Sequence, residues 1–208
     1  MPSAPRRPSN PESRSGGSFS PEAALRLLLA GNERFAANRL LSVEQDLAIL
    51  KEHTVDKQEP FAAILSCADS RVPVELVFDQ TIGQLFVARV AGNVVTPEII
   101  ASLEYGVAIL SVKVVLVLGH TSCGAVTAAV TAMAAPGQIS ILYKRLQPAV
   151  KEAGGDINRA VRTNAELQAN LLMTSSPVIR DAVKAGTLKV ESGVYELATG
   201  KVRLNVKP

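Results

Sequence analysis

The chain has 208 residues, 47% of them hydrophobic but only 4% aromatic and none Trp, with a formal net charge of +3. That length suits one well-packed domain and leaves little room for two, and the core has to come from Ala, Val, Leu and Ile, the usual filling of a parallel sheet covered by helices. The modest charge, drawn partly from Arg6, Arg7 and Arg14 and with no basic stripe interleaved with aromatics, argues against nucleic-acid binding, and no apolar run reaches the ~18 to 20 residues of a membrane helix.

Residues 1–18 are rich in Pro, Ser, Gly and Arg and have no apolar period to bury, so a disordered tail is expected ahead of a single domain over 19–208. The tail has no apolar segment of the kind a secretory signal needs. Cytoplasm is therefore the expected compartment, or periplasm if a leader has been removed. Ser20 then reads as an N-cap with Pro21 at the first helical position, and Ala24, Leu25, Leu28 and Leu29 recur at helical spacing as far as Phe35. A second helix is expected over 43–52, and Pro60 leads into a buried strand over 61–66.

Further strands are expected over 84–90 and 112–118, with helices over 97–110 and 123–133. Strand, helix, strand with long crossovers implies parallel pairing. Helical patterns follow at 139–151, 157–173 and 177–184, then strands at 188–195 and 201–206 joined by a turn, which predicts an antiparallel hairpin at a sheet edge. The fold class is thus three-layer α/β: a mostly parallel central sheet with helices on both faces and an antiparallel edge hairpin.

The chain has two cysteines and two histidines. Three of the four sit in two short motifs, Cys67-Ala68-Asp69-Ser70-Arg71 and His120-Thr121-Ser122-Cys123, each directly after a strand-like run. Ligands and chemistry collect at the carboxyl ends of parallel strands, so these motifs can meet in space. Two thiolates with one imidazole suit Zn²⁺ best among common biological metals. A disulfide is the weaker reading for a large-cored domain, and thiol redox chemistry lacks a C-x-x-C.

A Cys₂His set leaves a fourth position for water or substrate. Asp69 could fill that position, or it could pair with Arg71 and leave it open. Arg71 favours the second arrangement, because a closed structural site has no use for it, whereas an open one needs a group that orients a bound nucleophile. His53, in a polar stretch, reads as a surface residue, and Tyr105 and Tyr195 read as packing or interface residues rather than catalytic ones.

Cys67-x-Asp69-x-Arg71 and Gly119-His120-x-x-Cys123-Gly124, with Phe86-Val87-x-Arg89-x-Ala91-Gly92-Asn93 and Glu104-Tyr105-Gly106 between them, resemble the β-class carbonic anhydrases. The likeness runs from about Glu22 to Arg203. It implies reversible hydration of CO₂ to bicarbonate and a proton through zinc-bound hydroxide, with one Zn²⁺ per chain on Cys67, His120 and Cys123. It further implies that Asp69 and Arg71 are the catalytic dyad that orients or gates the fourth position, Asp69 binding the metal only in a closed state. Gly92, Asn93 and Gly124 are expected to line the substrate pocket, and the assembly is expected to be a homodimer or a dimer-based higher oligomer. Because two thiolates offset the charge of zinc, its water is expected to ionise at a somewhat higher pH than in a three-histidine site. Some members of that family bind a second bicarbonate with a Trp, which this chain lacks. Two rival readings keep the same site: a hydrolase of COS or CS₂, and a non-catalytic zinc scaffold with Asp69 permanently on the metal.

Overall fold

A computed structural model describes residues 20–41 and 55–205. The expected tail over 1–18, the helix over 43–52 and His53 lie outside the described residues. Helix α1 (Pro21–Ala36) starts as its sequence predicts, the Ser20 hydroxyl accepting from the Ala23 N–H at 3.2 Å. It presents Ala24, Leu25, Leu27, Leu28 and Gly31 to the core. At Gly31 a Cβ would come within 1.8 Å of the Phe78 carbonyl oxygen, so only glycine lets the helix approach this closely. Phe78 caps a one-turn helix, α2 (Val74–Val77), which is too short to show a helical period in the sequence.

The sheet contains β1 (Ala62–Ser66), β2 (Leu85–Arg89), β3 (Val114–His120), β4 (Lys189–Tyr195) and β5 (Val202–Leu204), in the spatial order β2-β1-β3-β4-β5. The first four strands pair in parallel, and β5 runs antiparallel to β4 as the expected edge hairpin. Every residue of β1 and β3 is buried, as expected of central strands covered on both faces. Successive β1 side chains separate into two cores. Ala62 and Ile64 pack with Leu116, Leu118, Phe78 and α1, while Ala63 and Leu65 pack with Val115, Val117, Leu103 and Leu172.

The second face is covered by α3 (Pro97–Ala108), α6 (Ile157–Ser175) and α7 (Pro177–Lys184), with α4 (Gly124–Val130) and α5 (Ser140–Ala153) beside the strand ends. Helix α4 stops at Val130 rather than 133. Ala132 adopts a left-handed φ of +50° and Pro136 follows, so the helix cannot continue. Asn32 of α1 ties the far edge of the sheet to this core. Its amide nitrogen donates to the Val77 carbonyl at 3.1 Å and the Gly200 carbonyl at 2.8 Å, and its oxygen accepts from the Val202 N–H at 2.7 Å. Among the described residues, no helix is long and apolar enough to cross a membrane.

Candidate metal centre

Cys67 is the residue after β1, and His120 is the last residue of β3. These strands are parallel neighbours with Ser66 opposite Leu118, so both motifs leave the sheet at the same end. Cys123 then caps α4. The ligand atoms of Cys67, His120 and Cys123 all lie within 4.8 Å of one another, and all three residues are buried. The two sulfurs are 3.9 Å apart, far beyond the ~2.0 Å of a disulfide, and both cysteines are free. Two sulfurs each about 2.3 Å from a tetrahedral zinc stand about 3.8 Å apart, close to the separation found.

The imidazole is prepared for the same purpose. His120 Nδ1 lies 2.9 Å from the Thr121 carbonyl oxygen, which can only accept, so Nδ1 is the donor there and the neutral ring has its lone pair on Nε2. That Nε2 is buried without a hydrogen-bond partner. A buried polar atom left unsatisfied costs about 1–3 kcal/mol, and a metal ion would satisfy this one. Thr121 is itself held by β4 and the turn beyond it: its N–H donates to the Tyr195 carbonyl at 2.9 Å, and its hydroxyl accepts from the Leu197 N–H at 3.0 Å.

The two thiols titrate as a unit. Cys67 is brought down to about 4, chiefly because the Cys123 thiol donates to it and against the opposing effect of burial, with His120 and the Gly92 N–H adding to the shift. Cys123 is correspondingly pushed well up, by that same donation and by burial, while the first-turn amides of Ala125 and Val126 act in the other direction. A cation that takes both sulfurs as thiolates has to displace any proton they hold.

Asp69 and Arg71 form a bidentate pair, with Nε to Oδ1 at 2.9 Å and Nη2 to Oδ2 at 2.7 Å. The Arg71 backbone N–H adds a third bond to Oδ1 at 2.9 Å. These donors, the guanidinium first, hold the Asp69 carboxyl well below the usual carboxylate range. The same guanidinium reaches the Ser122 carbonyl at 3.2 Å and so joins the two motifs. Asp69 Oδ2 stands 3.8 Å from His120 Nε2.

Of the residues expected near the substrate, Gly92 donates its N–H to the Cys67 sulfur at 3.3 Å. Asn93 is buried with its Nδ2 unpaired, and a Cβ at Gly124 would meet nothing within 4 Å. Sequence reasoning missed the support around them. Arg89, opposite Ser66 in the sheet, donates to the carbonyls of Cys67 at 3.0 Å and Asp69 at 2.6 Å. On α6, Asn164 donates to the Gly92 carbonyl at 2.9 Å. Two polar side chains four positions apart on a helix face of Ala, Val and Leu, Asn164 and Gln168, were the signal that could have found it.

A mostly parallel α/β sheet with a buried thiol–imidazole–thiol set where two strands end defines an α/β protein with a candidate metal-ion centre. The family model for carbonic anhydrase matches residues 62–202. Carbonic anhydrase 2 of Mycobacterium tuberculosis is 34% identical over 195 residues, covering 88% of this chain and 92% of that protein. Among solved structures, a β-carbonic anhydrase of Coccomyxa, in complex with acetazolamide, superposes with a TM-score of 0.68 at 28% identity, covering 88% of this chain and 87% of that one. A tetrameric β-carbonic anhydrase of Sordaria macrospora shares the fold, with a TM-score of 0.69 at 23% identity and coverage of 86% and 95%. The chain belongs to the carbonic anhydrase family, in its β class.

Proposed function

We propose that the chain catalyses the reversible hydration of CO₂ to bicarbonate and a proton, with one Zn²⁺ held by Cys67, His120 and Cys123. The observation that carries this reading is the buried donor set beside a carboxylate, Asp69, that three N–H groups of Arg71 have taken up. Zinc, when bound, would supply the Lewis acidity that makes water nucleophilic near neutral pH. Asp69, ionised throughout that range, accepts the O–H of the nucleophile and aims its lone pair. Arg71 holds the carboxylate in one place; a carboxylate released by Arg71 would be free to serve as the fourth ligand of a closed state. Gly92, Asn93 and Gly124 line the substrate side, where the unpaired Asn93 Nδ2 is a donor for a substrate oxygen.

The test is stopped-flow CO₂ hydration on zinc-quantified protein from about pH 6.5 to 9. Zinc-dependent activity that rises with pH is expected. Full zinc without activity at any pH would replace this reading with the closed scaffold, or with a hydrolase of another cumulated electrophile such as COS or CS₂. We also propose a homodimer or a dimer-based oligomer, on the strength of the tetrameric Sordaria protein. Light scattering that returned a monomer mass at micromolar concentration would refute it.

A further inference from the structure

Asn164 and Gln168 lie one helical turn apart on the buried face of α6, 1% and 5% exposed, among Ala160, Val161, Ala165, Ala169 and Leu172. Two carboxamides buried in such company are costly unless their hydrogen bonds are made. They are made in series. The Val95 N–H donates to Gln168 Oε1 at 2.7 Å, Gln168 Nε2 donates to Asn164 Oδ1 at 3.1 Å, and Asn164 Nδ2 donates to the Gly92 carbonyl at 2.9 Å. The direction of this chain is fixed at both ends, because a backbone N–H can only donate and a backbone carbonyl can only accept. Neither amide can flip without opposing two donors or two acceptors.

The chain grips the loop after β2 at two points, Gly92 and Val95. Between and around them the backbone is one that sheet pairing does not hold: Gly92 at φ +74° is followed by Asn93 at φ +45°, two left-handed residues in succession. Gly92 is also the residue whose N–H meets the Cys67 sulfur. Its carbonyl is held by α6 while its amide faces the candidate ligand, so a rotation of the loop that frees one contact disturbs the other.

From this we infer that Asn164 and Gln168 are positioning residues of the metal centre, acting through Gly92 to keep an N–H donor on the Cys67 sulfur. The inference rests on the proposal that Cys67 binds zinc. Groups that orient ligands from behind typically matter by about 10- to 100-fold in metal affinity. The full-length protein, its Asn164→Leu and Gln168→Leu variants and a control, Leu172→Ala, would be titrated with Zn²⁺ against a competing chelator. Each would then be loaded with Co²⁺ and its thiolate-to-metal charge-transfer band recorded. Leu172 lies on the same helix face but has no bond to the loop, so its variant reports what loss of packing alone does.

The expected result is a weakening of Zn²⁺ affinity by about 10- to 100-fold in both amide variants, with a displaced charge-transfer band, and neither change in Leu172→Ala. Should Asn164→Leu fail to fold, Gln168→Leu, which leaves the Asn164 bond to Gly92 in place, carries the test with the same expected direction. Affinity and band unchanged from wild type, or changed equally in Leu172→Ala, would overturn the inference and leave zinc binding intact. A wild-type chain that takes up no zinc would instead bring down the metal reading, and this inference with it.

Discussion

At the scale of single residues, the three candidate ligands and the dyad should separate cleanly under mutation. Cys67→Ser or His120→Ala removes one of only three protein donors, and zinc content measured on the purified protein should fall from about one per chain to a small fraction of that. Asp69→Asn should keep its zinc and lose most turnover, because the amide can no longer serve as a pure acceptor; normal turnover in that variant would show the dyad role to be wrong. The pH behaviour of Asp69 follows from its lowered pKa. A carboxylate whose folded pKa is depressed contributes stability above its unfolded value of about 3.9 and loses it only as pH falls through the folded one. The stability difference between wild type and Asp69→Asn should therefore be constant from about pH 5 to 9 and shrink only in stronger acid, as read from urea midpoints. A difference that changed between pH 6 and 8 would mean that Asp69 is not held by Arg71 as described.

At the scale of elements, the contact between α1 and α2 is a close approach that a single methyl group should disrupt. Gly31→Ala places a Cβ against the Phe78 carbonyl, a backbone atom that cannot swing aside, so the helix has to move. A loss of about 2 kcal/mol or more is expected in denaturant unfolding, and a loss below about 0.5 kcal/mol would contradict the packing. The glycine could not be singled out from sequence, since Phe78 comes from a one-turn helix with no period to read. The strands were legible because β1 and β3 are short apolar runs buried on both faces, and the ligands because Cys67 and His120 stand within a residue of their strand ends and Cys123 follows three residues later at the start of a helix. The long-range support of those ligands leaves a fainter trace: Asn164 and Gln168 mark a polar spot on an apolar helix face but not what that spot holds. Thr121 is pinned from Leu197, 76 positions away, and Gly92 from Asn164, 72 positions away. Contacts of that kind depend on which loops the finished sheet brings together, and neither periodicity nor motif spacing encodes them.

At the scale of the whole molecule, the proposed zinc would couple the two halves of the sheet to each other. Its ligands leave the ends of β1 and β3, and the paired cysteines are 56 positions apart in the chain. An unfolded chain does not present these three donors together, so the free energy of metal binding becomes free energy of folding. With free zinc at about a thousand times Kd the gain is about 4 kcal/mol, and at this chain length each kcal/mol shifts Tm by about 2–4 °C. Stripping the metal with a chelator should then lower Tm by roughly 8–16 °C at fixed protein concentration, somewhat less if unfolded thiols also hold zinc. The loss should be confined to the strand-end region at first, because the two cores on the faces of the sheet are mostly aliphatic and Cys67 and Cys123 belong to a separate, third cluster. Far-ultraviolet circular dichroism of the stripped protein should accordingly remain that of a folded α/β chain. Cys67→Ser should show the lower Tm with or without zinc, and a wild-type Tm that ignored zinc altogether would mean that the three donors do not bind it in the folded state.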